Sequence, residues 1–234
     1  NRVVMSFSHP YSKFGSGLYK FQDPEDKEYY LYTDFQPFDA NLLFPHFDQP
    51  DLKAKYKLTT TVPAHWTAIT SVREERIATV SGERRRWFFP ESEVYSSYIF
   101  SFHAGPYHTW SDAKARIPSR LMVRKSLAQH IDPEEWFRVT REGFGYFETY
   151  FDYDYPFKKY DQVIVPDFNA GAMENVAAVT FSERYVHRGT ETRRQRLKRA
   201  SVILHEMAHM WFGNLVTMKW WDDLWLSESF ATYM

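Results

Sequence analysis

Five consecutive residues near the carboxyl end of the chain have the types and the spacing of a metal site. His205 and His209 are separated by three residues, and Glu206 directly follows the first histidine. On a helix, residues i and i+4 lie on one face a turn apart, so both imidazoles can reach one metal ion. Glu206 lies at the flank of that face, where its carboxylate can contact a metal-bound water but cannot easily act as a ligand.

A third protein ligand has to come from another part of the chain, and Glu228 is the best candidate. A catalytic zinc takes three protein ligands and keeps one position open, and two histidines with one glutamate form a common set. Bound zinc lowers the pKa of its water to about 7 and polarises a carbonyl oxygen. With Glu206 as the general base, the expected reaction is metal-assisted hydrolysis of an amide or a related bond.

Two histidines at this spacing also occur on ordinary amphipathic helices, so the surroundings of the motif matter. Apolar residues occupy most positions between Val202 and Phe212, which indicates a buried helix. Two histidines and a glutamate in a buried helix need partners, because an unpaired buried polar group costs free energy. One zinc ion would satisfy all three side chains, and we therefore prefer the metal site to a set of surface residues.

The composition of the chain excludes several classes of protein. The 234 residues are 44% hydrophobic and 19% aromatic, which is enough for one large or two modest domains. A net charge of −1 gives no indication of a nucleic-acid partner. The chain has no cysteine, and therefore neither a disulfide framework nor a thiolate metal site. No apolar run reaches the length of about 18 residues that would predict a membrane segment.

The first half of the chain has the pattern of a β domain. Up to about residue 115, short runs rich in β-branched and aromatic residues alternate with turn signals, which favours an all-β sandwich or saddle. The predicted strands cover residues 29–33, 55–62, 66–71, 85–89 and 98–102, and Ser81-Gly82 is one of the predicted turns.

From residue 116 onward strands mix with helices, which indicates an α+β unit. Asp132 and Pro133 with two following acids predict a helix start, and that helix should run to about Phe151. A long helix over residues 191–212 carries the zinc motif, and another begins at Asp222 or Asp223. Further strands are predicted over 119–124, 162–166 and 177–181. The fold class is therefore α+β, with predicted domains 1–115 and 116–234.

Both ends of the chain influence what is expected of it. The chain begins at Asn1, without a methionine and in what resembles a continuing strand, and it stops at Met234 inside a helical pattern. We therefore expect a fragment, with an N-terminal β domain and only the first part of a catalytic domain. No signal peptide is recognisable, and a cytoplasmic location is the expectation.

A second motif, N-A-G-A-M-E-N at residues 169–175, lies between two predicted strands. Gly171 with Ala172 lets a backbone approach a ligand closely, and a substrate could pair with their main-chain groups as an added strand. Glu174 offers a carboxylate near the metal cleft. An ordinary loop with a solvated glutamate is the alternative, and without further context it is the better interpretation.

Taken together, these motifs resemble the M1 family of zinc aminopeptidases, the gluzincins similar to aminopeptidase N. The resemblance rests on G-A-M-E-N at 171–175, H-E-M-A-H at 205–209 and then Glu228, in that order. The flanking stretches 211–217 and 220–226, and residues 32–54 in the β domain, are similar as well. The resemblance covers essentially the whole chain.

The resemblance implies a β-saddle domain before a thermolysin-like catalytic domain. One Zn²⁺ is implied, held by His205, His209 and Glu228, with Glu206 as the general base. The tyrosine that stabilises the transition state in this family lies beyond the end of the chain, so no residue here takes that role. Because part of the cleft wall is missing, we expect the fragment alone to bind zinc poorly or to turn over slowly.

The resemblance also implies a substrate, namely peptides with a free N-terminal amine. In the family the glutamate of the G-A-M-E-N motif binds the α-amino group, and it corresponds to Glu174. Main-chain groups at Gly171 and Ala172 would hold the peptide backbone. The implied function is that of a zinc metallo-aminopeptidase, which removes the N-terminal residues of peptides.

Two positions depart from the pattern of the family, and one of them, Ser229 where glycine is commoner, should have little effect on the metal. Many members carry a second amine-binding glutamate in a T-Q-x-E stretch, and the matching residues 33–36 place Gln36 there. A glutamine accepts a hydrogen bond from an ammonium but brings no charge, so amine affinity would be weaker unless Asp34 compensates. Without the resemblance, Gln36 is better interpreted as a strand-edge residue.

Two alternatives stay open. Gln36 also resembles the bifunctional branch of the family that hydrolyses a leukotriene epoxide, so an epoxide or ester hydrolase could use the same zinc. The chain could instead be a catalytically silent peptide-binding module. The intact Glu206 argues against that module, because a silent protein has no need of a base beside its zinc.

Overall fold

The computed structural model of the protein describes residues 2–80 and 82–234. Their fold is mixed α+β, as predicted, with sheets in the first half and the longer helices in the second. None of the helices in these two ranges is both long enough and apolar enough to cross a membrane.

Seven strands in the first half form two antiparallel sheets. A four-stranded sheet has the order β1-β2-β7-β4, and a three-stranded sheet has the order β3-β6-β5. The strands are β1 (Gly17–Gln22), β2 (Tyr29–Asp34), β3 (Thr59–Pro63), β4 (Thr67–Ile69), β5 (Arg76–Thr79), β6 (Arg84–Phe88) and β7 (His103–Gly105).

Strand β2 is buried on both faces, which explains why its sequence shows no polar alternation. Tyr30 and Tyr32 point into the main hydrophobic core, whereas Leu31 packs in a smaller core with Trp87 and Ala104. Successive side chains of a strand point to opposite faces, so one strand can serve two cores. The strand thereby ties the three-stranded sheet to the rest of the molecule.

The second half contains a five-stranded sheet with the order β11-β12-β10-β9-β8. Its strands are β8 (His108–Ser111), β9 (Ser119–Val123), β10 (Tyr160–Val165), β11 (Ala172–Met173) and β12 (Ala178–Ser182). The three central strands are parallel and the two edge strands antiparallel. Strand β8 precedes residue 116, so this sheet takes one strand from the predicted N-terminal domain, and the boundary itself stays a prediction.

Three α-helices follow: α1 (Pro133–Phe151), α2 (Arg193–Ala208) and α3 (Leu224–Tyr233). Helix α1 begins as predicted, because the Asp132 side chain accepts a hydrogen bond from the Glu135 amide. Helices α1 and α2 pack closely at Gly143, where a Cβ would lie 2.6 Å from Leu204 Cδ2. A larger residue at this position would have to displace the side chains of Leu204 and Met207 on α2, so the glycine lets the two helices pack closely.

Some predicted elements differ in the structure. The predicted strand over residues 98–102 is wrong, because residues 97–99 form a 3₁₀ turn closed by the Phe100 amide on the Ser97 carbonyl. Strands β1, β5, β7 and β8 were missed by the hydrophobic pattern. Residues 2–11 form no strand, so the predicted continuing strand is wrong for them, while Asn1 and Ser81 lie outside the described residues.

Candidate metal centre and substrate cleft

Helix α2 carries His205 in its last turn and ends at Ala208, four residues before the predicted end. His209 is the first residue after the helix and keeps a helical conformation, so the two imidazoles still share a face. Their Nε2 atoms are 3.2 Å apart. The chain then turns sharply, because the Asn214 amide donates to the His209 carbonyl and Gly213 adopts a φ of 129°.

The turn at Gly213 lets α3 approach the two histidines. A Cβ on Gly213 would lie 2.7 Å from the Ser227 hydroxyl, so a side chain here would displace the helix that carries Glu228. Glu228 Oε2 lies 3.3 Å from His205 Nε2 and 3.7 Å from His209 Nε2. The three predicted ligand residues are therefore brought together from two helices.

These three atoms suit a zinc ion. Tetrahedral zinc with bonds of about 2.1 Å holds its ligand atoms about 3.4 Å apart, close to the separations found here. His209 Nδ1 lies 3.0 Å from the Phe212 carbonyl and 3.0 Å from the Ser227 hydroxyl. Because a carbonyl only accepts, Nδ1 carries a proton, and Nε2 is the nitrogen directed at Glu228, where it can bind a metal once it has given up its own proton. The donor set thus has both the composition and the tautomer that zinc requires.

The charges around the histidines favour a cation. Burial lowers the pKa of His209, but the carboxylates of Glu174, Glu228 and Glu206 outweigh it and raise that pKa to about 10. Hydrogen bonds from His205 and then His209 lower the pKa of Glu228. A field that holds a proton on His209 this strongly also favours a divalent ion in its place, with release of the proton.

Glu206, the predicted general base, points into the interior beside this cluster and is 4% exposed. Burial raises its pKa, and the charges of Glu174 and Glu228 raise it further, against the opposing effect of His209. Its carboxylate therefore takes up and holds a proton more readily than an exposed glutamate does.

Glu174 lies in the connection between β11 and β12 and is 2% exposed. One of its oxygens, one Glu206 oxygen and one His209 nitrogen all lie within 4.8 Å of one another. Among the described residues, Glu174 Oε1 has no hydrogen-bond partner. Burial raises the pKa of Glu174. The charge of Glu228 acts in the same direction, and the charge of His209 opposes both effects. Glu174, which the sequence alone placed in a solvated loop, is thus buried next to the predicted metal ligands. One of its oxygens has no hydrogen-bond partner among the described residues.

Gly171 and Ala172 lie at the outer edge of the five-stranded sheet, since β11 is an edge strand. The Gly171 carbonyl accepts a hydrogen bond from the Ser182 amide, and Ala172 pairs with Phe181. A Cβ on Gly171 would lie 2.7 Å from the Tyr185 hydroxyl. The glycine is therefore required by a neighbouring tyrosine, a reason that the sequence did not show.

Gln36, just beyond β2, reaches the metal cluster from the N-terminal sheet. Its Nε2 lies 3.5 Å from Glu228 Oε1, at the limit of a hydrogen bond. Nearby, burial raises the pKa of Asp34 to about 7, with Asp39 and Glu174 adding to the effect and backbone amides opposing it. The structure therefore places both residues of the predicted second amine site close to the centre.

Comparison with known families agrees with this arrangement. The family model described as the Peptidase M1 N-terminal domain matches residues 2–99, and that of the Peptidase family M1 domain matches residues 136–234. The chain belongs to the M1 peptidase family. The resemblance inferred from the three M1 motifs is thereby confirmed, as is the fold class.

Several M1 relatives cover nearly all of the chain. Aminopeptidase N of Streptomyces lividans is 48% identical over 227 residues, which is 95% of this chain and 26% of that protein. Glutamyl aminopeptidase of Mus musculus is 35% identical over 99% of this chain and 25% of its own length. Probable M1 family aminopeptidase 1 of Encephalitozoon cuniculi is 39% identical over 99% of this chain and 27% of its own length. The chain thus spans about a quarter of the length of these relatives.

Four supporting residues of this M1 chain escaped the sequence analysis. Ser227 holds His209, and Asn214 Nδ2 donates to the Glu174 carbonyl at 2.7 Å. Tyr185 covers Gly171. Tyr98 has a buried hydroxyl, which has no partner among the described residues, and burial together with Glu174 and Glu228 raises its pKa. Only Asn214 lies in a stretch, residues 211–217, that the family resemblance had singled out.

Proposed function

We propose that the protein is a zinc metallo-aminopeptidase, which hydrolyses the first peptide bond of peptides with a free N-terminal amine. The observation that carries this proposal is the position of Glu174. A buried carboxylate with a free acceptor oxygen lies beside three atoms that suit a zinc ion. A hydrolase that cut peptides internally would have no use for a second buried negative charge at this point.

His205, His209 and Glu228 are the residues that would hold Zn²⁺. When bound, the ion supplies a Lewis acid that acidifies a coordinated water and polarises the carbonyl of the scissile bond. Ser227 and the Phe212 carbonyl keep His209 in the tautomer that leaves Nε2 free, with both contacts at 3.0 Å. Such outer contacts hold the ligand in place before the ion arrives.

Glu206 is the proposed general base. It is buried and close to His209, so its carboxylate can accept the proton of the attacking water and pass it to the leaving amine nitrogen. The burial that raises its pKa helps it hold the proton between these two transfers. An exposed glutamate would lose that proton to solvent.

Glu174 is the proposed anchor for the substrate ammonium. A cation held at Glu174 lies at a fixed distance from the metal ligands, so only the first peptide bond reaches the base. Gln36 faces Glu228 with its Nε2, and its carbonyl oxygen can accept a second hydrogen bond from the ammonium. Main-chain groups on the outer edge at Gly171 and Ala172 would pair with the peptide backbone.

The proposal is tested on the full-length protein with two substrates, a leucyl anilide with a free amine and its N-acetylated twin. Cleavage of the free amine alone is the expected result. Cleavage of both would discard the amine anchor and keep the hydrolase. Cleavage of neither by zinc-loaded protein would contradict the proposal and favour an epoxide or ester substrate, or a silent peptide-binding module.

A further inference from the structure

We propose that His103 and Thr180 are positioning residues for the carboxylate of Glu174, and that they act through the side-chain amide of Asn175. This inference rests on the proposed function, because it specifies how the amine anchor is held. His103 belongs to β7 of the four-stranded sheet, whereas Thr180 belongs to β12 of the five-stranded sheet. The contact therefore connects the N-terminal sheet to the substrate cleft.

The three side chains meet at one oxygen. Thr180 Oγ1 lies 2.9 Å from Asn175 Nδ2 and 2.9 Å from His103 Nε2. His103 and Thr180 are fully buried, and Asn175 is 1% exposed. The Asn175 amide nitrogen can only donate, so the threonine oxygen is its acceptor.

The state of the imidazole follows from its surroundings. Burial lowers the pKa of His103 to about 3, with Lys159 adding to the effect and Asp161 opposing it, so the ring is neutral. Its Nδ1 has no partner among the described residues. The Thr180 hydroxyl therefore pairs with both neighbours: it accepts from the Asn175 amide, and its second hydrogen bond joins it to Nε2 of the neutral ring.

The backbone on either side of Asn175 is also held. The Val176 amide donates to the Ile99 carbonyl, and the Ala178 amide donates to the Asn175 carbonyl, each at 3.1 Å. Asn214 Nδ2 donates to the Glu174 carbonyl at 2.7 Å. These main-chain bonds and the hydrogen bond of the Asn175 amide together hold the loop that carries Glu174.

Asn175 and Glu174 direct their side chains to different places. The amide of Asn175 binds Thr180, and the Glu174 carboxylate lies beside Glu206 and His209. The main-chain bonds and the Asn175–Thr180 hydrogen bond hold the backbone between the two residues, and they thereby set the direction in which the Glu174 side chain leaves it. Thr180 also pairs with Met173, the residue before Glu174, so one threonine contacts both sides of the anchor.

The experiment measures kcat and KM of the full-length protein with the free-amine leucyl anilide. Thr180→Val keeps the shape of the side chain and removes the hydroxyl, which leaves the Asn175 amide and His103 Nε2 without their buried partner. We expect KM to rise about threefold to tenfold, the equivalent of one lost hydrogen bond, with kcat and zinc content within about twofold of wild type. Thr180→Ser restores the hydroxyl and should restore KM.

A matched control is Thr140→Val, which removes the hydroxyl of another buried threonine. Thr140 Oγ1 accepts a hydrogen bond from Gln162 at 3.0 Å, far from the loop of Glu174 in sequence, and KM should not change. A lower melting temperature in Thr180→Val with unchanged KM would show a merely structural role and overturn the inference. An equal rise of KM in Thr140→Val would overturn it as well.

His103→Phe provides a second variant, whose KM is measured alone if Thr180→Val does not fold and also in combination if it does. It keeps a ring and removes both nitrogens, and we expect KM to rise about threefold, with no further rise when it is combined with Thr180→Val. If the double variant raised KM by the product of the two single effects, His103 would not act through Thr180, and the inference would be overturned. If the wild-type protein does not cleave the free amine, the proposed function and this inference fall together. If the wild-type protein cleaves the free amine, and Thr180→Val and His103→Phe both keep the wild-type KM, only this inference is contradicted.

Discussion

The proposed metal half of the site comes from two helices, whereas the proposed amine half comes from a short loop and the end of a strand. The metal half comprises His205, His209, Glu228 and Glu206 on and beside α2 and α3. The amine half comprises Gly171, Ala172 and Glu174 in the β11–β12 region, with Gln36 beyond β2. In the metal half, the spacing of residues along a helix places the two histidines. In the amine half, contacts between residues distant in sequence place the side chains.

This difference has consequences for rigidity and for charge. The metal half holds its histidines by the helix and by Ser227, so a single substitution there removes a ligand without moving its neighbours. In the amine half, Glu174 depends on Asn214 and on the loop that carries it. We therefore expect substitutions in the metal half to reduce kcat and those in the amine half to raise KM.

The largest effect is expected for His205→Ala, which removes one of three metal ligands. Since loss of a supporting contact already lowers zinc affinity about 10- to 100-fold, loss of a ligand should lower it further and abolish activity. Metal analysis of the purified full-length protein measures this. His65→Ala, an exposed histidine of the N-terminal half, serves as the control. Unchanged zinc content in His205→Ala would remove His205 from the ligand set.

Glu206→Gln should leave zinc bound and lower kcat about 10²- to 10⁴-fold, because the amide cannot accept the proton of the attacking water. Steady-state kinetics together with metal analysis separate the two effects. Glu142→Gln, on an exposed face of α1, is the matched control. A near-normal kcat in Glu206→Gln would show that another residue acts as the general base.

Ser227→Ala tests the contact that supports His209. The variant loses the hydroxyl 3.0 Å from Nδ1 while the Phe212 carbonyl remains, so zinc affinity should fall about tenfold, at the lower end for such contacts. Competition with a chelator measures the affinity. Ser229→Ala, two residues further along α3 and exposed, should behave as wild type. Equal affinities for both variants would show that Phe212 alone suffices.

The smallest effect is expected for Gln36→Glu, which restores the charge found at this place in many family members. An added carboxylate should lower the KM for the free-amine anilide about twofold to fivefold, as expected for a partly exposed ion pair. The N-acetylated twin should show no such gain. A KM that rises would indicate that the new charge repels Glu228, whose Oε1 lies 3.5 Å from Gln36 Nε2.

The sequence located residues of the proposed metal half that the structure brings together, because most of the information that places them is local. Two histidines a turn apart and a capped helix are set by spacing and by nearest neighbours, and the capping box at Thr192 is of the same kind. The end of α2 was predicted four residues too late, because apolar residues after His209 pack in the core without remaining helical. A periodic pattern does not show where a buried chain turns.

The amine half was predicted only through the family resemblance. Glu174 alone was better interpreted as a solvated loop residue, and its burial depends on partners such as Asn214, which lies 40 residues away. The contact between His103 and Thr180 joins residues 77 positions apart. Nothing in the local pattern indicates such pairs, since they exist only once two sheets have packed together.

The most direct test of the division into two halves is the selectivity of Glu174→Gln. For the full-length protein, the quantity measured is the ratio of kcat/KM for the free-amine anilide to that for its N-acetylated twin. We expect the ratio to fall about 10- to 100-fold relative to wild type, the equivalent of a lost charged hydrogen bond, with zinc content unchanged. An unchanged ratio with zinc still bound would show that Glu174 does not recognise the amine and would contradict the proposed exopeptidase mechanism.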